Sequence, residues 1–427
     1  MVECGLVQAI YCSGFDRNDD FMVKKESLKQ YILVLFLLSG TAFSQSTDTL
    51  KVVTYNLLNF PGSSPNRVDT LEVIMQHLKP DILTVCELTS SAGATDILED
   101  ALNVDGTTSY EMAYYVDSPG SQNELYYNSE KLVLVEQNEI ATVLRDINEY
   151  VLYHKADDLE TTGDTVFFYV YVCHLKAGTG FEAQRDSETN SLKTYLAGRP
   201  QAENIIVSGD FNFYGSDTEP AWNTMLNGSG VALKDPILSP GHWNSNPGYA
   251  PIHTQSTRTT SFGGGATGGM DDRFDIIFVS PDLMNYKNDA RYITGTYRAI
   301  GQDALHFNST LIDPPTNTSQ PWNVITALYH MSDHLPVYME IEVRKEAASM
   351  DELNQQQACD YYYDQENKML RLKSVVSSPS VYFLYSLSGE KVMEFESDQE
   401  QLNLSHLESG TYILSKEGTE TLKLVVD

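Results

Sequence analysis

Cysteine, basic residues and long apolar runs are all scarce in this chain. Its 427 residues hold five cysteines, Cys4, Cys12, Cys86, Cys173 and Cys359, with no CxxC pair among them. That spacing excludes a zinc ribbon and a disulfide framework. Cys86 and Cys173 each end an apolar strand just before a polar residue, and both are expected as buried thiols facing away from any site. Lys and Arg total 28 against 59 Asp and Glu, a formal charge of -31. Tight, passive binding of nucleic acid rests on phosphate neutralisation and is excluded by that balance. A nuclease is not excluded, because a bound divalent cation and a few local Arg or Lys residues make a positive site on an acidic surface. No apolar run reaches the ~20 residues of a membrane-spanning helix, so no transmembrane anchor is expected. The loop Gly263–Gly269 lacks the Gly-Lys-Ser/Thr of a phosphate-cradling loop and leads into a strand, so it reads as a loop beside the site.

What is present is a chain with 41% hydrophobic residues, enough for a large domain and a smaller one. Lys24, Lys25 and Lys29 precede a short apolar run, residues 31–38, and Ala42-Phe-Ser44 supplies small residues near a cleavage point. Residues 22–44 therefore read as a signal peptide, with residues 1–21 a mis-assigned start or an extension, and the mature protein as secreted or on the cell surface. From residue 50 onward strands and helices alternate. Val68, Leu71, Ile74, Met75 and Leu78 keep helical spacing until Pro80. Residues 81–86 and 204–208 are buried-type strands, residues 124–135 hold two strands around Asn128-Ser-Glu130, and residues 182–196 read as a polar surface helix. The pattern predicts a two-sheet core with helices outside over residues 50–343. A charged, Gln-rich linker, residues 344–360, precedes a β-rich module at 361–427, a small antiparallel sandwich without catalytic residue types.

Polar motifs cluster at strand ends. Glu87, Asp333 and the neutral Asn56 are candidate ligands for a hard cation, which takes oxygen donors and keeps several waters. Asp210 and Asn212 lie two apart in Gly-Asp-Phe-Asn, where a carboxylate can orient water and an amide can donate to a phosphoryl oxygen. His334 is a candidate base with Asp275 as its partner, and His174 a candidate acid with Glu124 as its orienting carboxylate. Arg145 and Arg273 are the preferred phosphate contacts, ahead of Lys176 and Arg258.

In the order Thr-Tyr-Asn56, Cys-Glu87, Cys-His174-Leu-Lys176, Gly-Asp210-Phe-Asn212, Asp-Arg-Phe-Asp275 and Ser-Asp333-His334, residues 50–343 resemble the endonuclease/exonuclease/phosphatase superfamily, the fold of pancreatic deoxyribonuclease. The resemblance implies a four-layered α/β sandwich and cleavage of a phosphoester with Mg²⁺ or Mn²⁺, Ca²⁺ being a further option. It implies Glu87 as main metal ligand with Asn56 and Asp333, Asp210 and Asn212 positioning nucleophile and phosphate, His334–Asp275 as base and His174–Glu124 as acid. Arg145 falls where the deoxyribonuclease-like branch carries a phosphate-contacting arginine. The C-terminal module is similar to the sorting domain of the type IX secretion system, in Leu-Ser-Gly389-Glu-Lys391, Ser409-Gly410-Thr-Tyr412 and Leu422-Lys423-Leu-Val, which implies that machinery as a partner. The first expectation for function is a secreted nuclease acting on DNA or RNA. The alternatives are a phosphomonoesterase or sphingomyelin-type lipid phosphodiesterase on the same fold and, from another class, a non-catalytic surface-binding protein.

Overall fold

A computed structural model describes residues 47–62, 66–117, 122–156, 165–261 and 263–344, and in the C-terminal part 361–364, 368–372, 381–386, 391–396, 401–407, 410–416 and 421–426. The proposed signal peptide and nearly all of the linker lie outside the described residues. In chain order the strands are β1 (Thr47–Phe60), β2 (Ile82–Leu88), β3 (Tyr110–Met112), β4 (Gln122–Asn128), β5 (Leu132–Ile140), β6 (Ile147–His154), β7 (Phe167–His174), β8 (Ile205–Asp210), β9 (Asp275–Val279), β10 (Ala290–Tyr292), β11 (Arg298–Ala299) and β12 (Val337–Arg344).

These strands form two sheets. One runs β10-β12-β1-β2-β4-β3, with β11 also on β12; the other runs β5-β6-β7-β8-β9. The period of two decides the layering. On β1, Val53, Tyr55 and Leu57 face one way, into a core with Leu71, Ile74 and Met75 of helix Arg67–Leu78 and Ile325 and Leu328 of helix Trp322–Met331. Leu50 and Val52 face the other way, and meet Phe168, Val170, Val172, Ile206 and Ile277 of the second sheet. The far side of the second sheet, Tyr171, Cys173, Val207 and Phe278, packs on Leu192 and Leu196 of helix Glu182–Ala197 and Trp222 of helix Pro220–Asn227. Three apolar layers between four layers of backbone make this an α/β sandwich.

Several expectations change at this level. The strands on either side of Asn128-Ser-Glu130 belong to different sheets, so that turn is a crossing between layers. Helix Glu182–Ala197 is polar in sequence but not a surface helix throughout. Arg185 is fully buried and paired with Glu219 at 2.6 Å, and the ammonium of buried Lys193 donates to the carbonyls of Met225 and Val231. Cys173 faces the outer layer, but Cys86 lies on the inter-sheet face, and its thiol donates to the Cys173 carbonyl at 3.4 Å.

In the C-terminal part, β13 (Tyr361–Asp364), β14 (Met369–Leu372) and β17 (Gln401–Asn403) form one antiparallel sheet. β15 (Val381–Ser386), β16 (Lys391–Glu396), β18 (Gly410–Lys416) and β19 (Thr421–Val426) form another, in the order β16-β15-β18-β19. Leu370 and Leu404 meet Tyr382, Leu384, Phe395 and Leu414 in one small core, a sheet-on-sheet packing.

Candidate active site

The inter-sheet face changes character toward one end. Along β1 it reads Val52, Thr54, Asn56; along β7, Val170, Val172, His174; along β8, Ile206, Ser208, Asp210; along β9, from the other direction, Val279, Ile277, Asp275. A hydroxyl layer separates apolar core from charge: Thr84 Oγ1 and Ser208 Oγ lie 2.9 Å apart across the two sheets. Beyond it the strand ends bring carboxylates, imidazoles and amides together. Strand pairing sets their register, since β7 and β8 run parallel with His174 beside Asp210, and β8 and β9 antiparallel with Asp210 beside Asp275.

Asn56 lies between two carboxylates. Its Oδ1 accepts from the Leu58 N–H at 2.9 Å, which turns Nδ2 toward Glu87 Oε1 and Asp210 Oδ2, each at 3.0 Å. Glu87 Oε2 accepts from the Asn59 N–H at 3.0 Å, and Asp210 Oδ1 from the Asn212 N–H at 3.0 Å. Nε2 of His174 is 3.7 Å from both Glu87 Oε1 and Asp210 Oδ2. His334 Nε2 is 3.7 Å from the same Asp210 oxygen, and its Nδ1 is 2.6 Å from Asp275 Oδ2. The Ser332 hydroxyl bonds to the Asn56 carbonyl at 2.7 Å and receives the His334 N–H at 3.1 Å, tying the β12 side to β1. Glu87 and Asn212 hold left-handed backbones, φ 61 and 53, a costly conformation for residues with a side chain and one that concentrates at functional sites.

The donor set suits a hard cation. Among the described residues, Glu87, His174 and Asp210 place one ligand atom each within 4.8 Å of one another. Two carboxylates converge there on the Asn56 amide N–H, so a divalent cation has both charge and oxygen donors to meet. This set differs from the expected one. Asn56 turns its nitrogen, not its oxygen, to the carboxylates. Asp333 lies outside the group of three: its Oδ2 accepts from the Ala266 N–H at 2.5 Å and from Gln255 Nε2 at 3.3 Å, while its buried Oδ1 has no protein partner.

Crowded charge and burial shift the proton affinities. Burial pushes the Asp210 carboxyl up to about 7; Asp275 and Glu87 add to this, against opposition from His334 and the Asn56 amide. His174 is held well below the ordinary histidine range by burial first, then by Arg145 and His334. Burial also works against charge on His334, but Asp275, Asp333 and Asp210 outweigh it and hold that ring well above the ordinary range.

The other candidates separate. Asn212 Nδ2 donates to the Leu175 carbonyl at 3.2 Å, beside Asp210. Arg145 is at the site edge, its Nη1 3.3 Å from the carbonyls of His174 and Leu175. Arg273 is no phosphate contact: it is buried, pairs with Asp235 at 2.8 Å and lies over Trp222 and Trp243. Arg258 is buried with Nη2 on the Tyr329 carbonyl, and Lys176 extends over the Phe181 ring. Glu124 does not meet His174. It pairs across strands with Val85 and shares the face of Tyr126, both in the outer core, so its carboxylate is on the wrong side of its strand. Oε1 accepts from its neighbour Leu125 N–H at 2.9 Å, and Oε2 is buried without a partner. The inter-sheet position belongs to Asn123, whose Nδ2 donates to the Val172 carbonyl at 3.2 Å and to Asn148 at 3.1 Å. Gln255 was not legible in the sequence. It stands between Asp333 and His334, but Thr-Gln-Ser-Thr carries no strand-end or motif signature.

Residues 53–334 match the family model described as Endonuclease/Exonuclease/phosphatase family. Among solved structures, TDP2 of D. rerio complexed with single strand DNA product is 15% identical, with TM-score 0.45, covering 69% of this chain and 99% of that one. An endonuclease/exonuclease/phosphatase family protein from Bacteroides thetaiotaomicron is 17% identical, with TM-score 0.44 and coverage of 70% and 99%. A mannosyl-6-phosphatase of Bacteroides thetaiotaomicron is 17% identical, with TM-score 0.43 and coverage of 68% and 99%. No curated protein matches the chain.

Proposed function

The chain belongs to the endonuclease/exonuclease/phosphatase family, and from that premise we propose that it is a divalent-metal-dependent hydrolase of phosphodiesters, with nucleic acid as first substrate class. The observation that carries this reading is the convergence of Glu87, His174, Asp210 and His334 at one end of the inter-sheet face, linked by Asn56 and by contacts of 3.7 Å or less.

Glu87 and Asp210 would hold the cation, with His174 beside them and Asp333 outside that group. When bound, a Mg²⁺ or Mn²⁺ ion supplies Lewis-acid neutralisation of phosphoryl charge. Asp275 accepts from His334 Nδ1 and so aims Nε2 at the space next to Asp210, where it can take a proton from an attacking water. His174, 3.7 Å from the same Asp210 oxygen that His334 faces, is placed to serve the leaving oxygen, without Glu124. Asn212 fixes Asp210 through its backbone and stands ready as a donor to a phosphoryl oxygen. Arg145 contributes positive charge at the rim.

A second reading, phosphomonoester hydrolysis, is favoured by one observation. Of the four candidate phosphate contacts, Arg258 and Arg273 are buried in structural contacts, which leaves Arg145 and Lys176 of that set to neutralise substrate charge on a chain of net charge -31. A polyanion asks for more cations than a single phosphate does. Export through residues 22–44 and type IX sorting through residues 361–427 belong to the same proposal and rest on the sequence motifs.

The test is a substrate panel with and without chelator: plasmid, single-stranded DNA, RNA, sphingomyelin and simple phosphomonoesters and diesters. Chelator-sensitive hydrolysis is expected, with Asp210→Asn and His334→Ala each lowering kcat by ~10²–10⁴-fold at unchanged thermal midpoint. Full activity in chelator, or in either variant, contradicts the reading.

A further inference from the structure

Residues 301–317, the long connection between β11 and helix Trp322–Met331, have no part in the scheme above. They back the segment that carries the Gly-rich loop. The Asn308 N–H donates to the Met270 carbonyl at 3.2 Å, the Leu311 N–H donates to the Thr257 carbonyl at 2.9 Å, and Thr259 Oγ1 and Thr310 Oγ1 lie 3.0 Å apart. The approach is close, since a Cβ added to Gly269 would overlap the backbone where Asn308 meets Ser309. The two ends of the connection are drawn together by the Asn317 amide, which donates to the Gly301 carbonyl at 2.7 Å.

Within this connection lies a buried histidine. His306 Nδ1 is 2.8 Å from Asp303 Oδ1, and Nε2 is 2.8 Å from the Asp313 carbonyl. A carboxylate and a carbonyl own no hydrogens, so both ring nitrogens face acceptors. A neutral imidazole has one N–H and would set lone pair against lone pair at the other contact. Only the imidazolium makes both bonds. Asp303 supports the same state. Its Oδ1 also accepts from the Leu305 N–H at 2.9 Å, but its Oδ2 is buried without a protein partner, a cost that a positive ring beside it offsets. The Asp313 carboxylate is occupied by Ser309 Oγ at 3.0 Å and the Thr310 N–H at 3.2 Å. On the segment packed against the connection, the charged and titratable side chains are engaged elsewhere: His253 on the Trp243 carbonyl, Arg258 on the Tyr329 carbonyl, Asp271 on Ser245 and Asp272 on Asn244. His330, on the following helix, packs against the Tyr329 ring. Burial works against charge on His306, but Asp303 and the carbonyls of Asp313 and Pro315 outweigh it and hold the ring above the ordinary 6.5.

We propose that His306 is a protonation latch: as an imidazolium it ties Asp303 to the Asp313 carbonyl and holds residues 301–317 against the Gly-rich segment, and on losing its proton it releases one of those two ties. The latch is independent of the hydrolase reading, because it rests on contacts outside the candidate active site. The folded ring binds its proton more tightly than the unfolded chain does. Its stabilisation is therefore complete below about pH 6.5 and fades as pH rises through the higher folded value. The connection then loosens on the side that faces Thr257, Thr259 and Met270.

The experiment uses full-length protein with ¹⁵N-labelled histidine, His306 being assigned from the resonance lost in His306→Gln and shifted in Asp303→Asn. The wild type at pH 6 is expected to show His306 protonated at both nitrogens, with a titration midpoint above the ordinary 6.5. Asp303→Asn keeps an acceptor oxygen and removes the charge, so it should lower that midpoint. Wild type should melt above His306→Gln at pH 6, and the gap should shrink by about half or more at pH 9; taking the difference at each pH cancels the other titrating groups. Amide exchange, corrected for the intrinsic rate, reads the connection itself. Protection of the Asn308 and Leu311 amides should fall ~10-fold from pH 6 to pH 9 in the wild type and stay level in His306→Gln. A wild-type His306 carrying a single proton at pH 6 overturns the proposal, as does a melting gap, or wild-type protection at Asn308 and Leu311, that does not change with pH.

Discussion

Burial leaves the Glu124 carboxyl group with a single hydrogen bond for two oxygens. That environment, chiefly desolvation and only partly offset by the Leu125 N–H, pushes it up to about 8 from an ordinary 4.5. Between those values the folded chain keeps a proton that the unfolded chain has released, so stability falls as pH rises through the window. The slope is roughly 1.4 kcal/mol per pH unit at its steepest. Glutamine has the same shape and no charge to desolvate. Glu124→Gln should therefore raise the melting temperature more at pH 8 than at pH 5; thermal melts giving equal changes at both would show that the carboxylate is solvated. At this scale the sequence was legible for Asp210, Asn212 and the His334–Asp275 pair, whose strand-end motifs announce them. It was misleading for Glu124, because a shift of one residue along a strand exchanges its two faces.

Strands deliver the site, and β8 shows how little tolerance they have. Gly209 sits at φ 133, a backbone that side chains rarely adopt, and a Cβ there would overlap the Cys173 carbonyl oxygen on the neighbouring β7. Gly209→Ala should force β7 and β8 apart where His174 and Asp210 pair in register. A loss above ~2 kcal/mol in chemical denaturation is expected, with turnover reduced even at temperatures where the variant is folded. A wild-type denaturation midpoint would refute the close approach. The apolar strands and the helix before Pro80 were legible because each carries its own period and its own stop signal. Strand β6, Ile147–His154, was missed, since its interior Asn148 and Glu149 break the apolar run; the fold buries both, Glu149 against Tyr171, Tyr195 and Arg199.

Across the whole molecule, a charge of -31 repels the anionic substrates that the site would process. Salt screens that repulsion over a distance of about 10 Å at 0.1 M. For a nucleic-acid substrate kcat/KM should rise as ionic strength goes from about 0.02 to 0.2 M, and less steeply for a small phosphomonoester of lower charge. A steep fall with salt would instead reveal a basic docking face, contrary to the buried state of Arg258 and Arg273.

By itself the sequence determined the strand-and-helix alternation, the polar strand tips and the scarcity of cations, because period, motif and charge are properties of short stretches or of simple sums. Only the tertiary structure decided which face Glu124 turned to, that Arg273 would pair with Asp235, and that Gln255 and a glycine loop would close on Asp333 and His334. Those outcomes depend on strand parity and on contacts between residues up to 79 positions apart, where packing and hydrogen-bond direction act and local pattern has no reach.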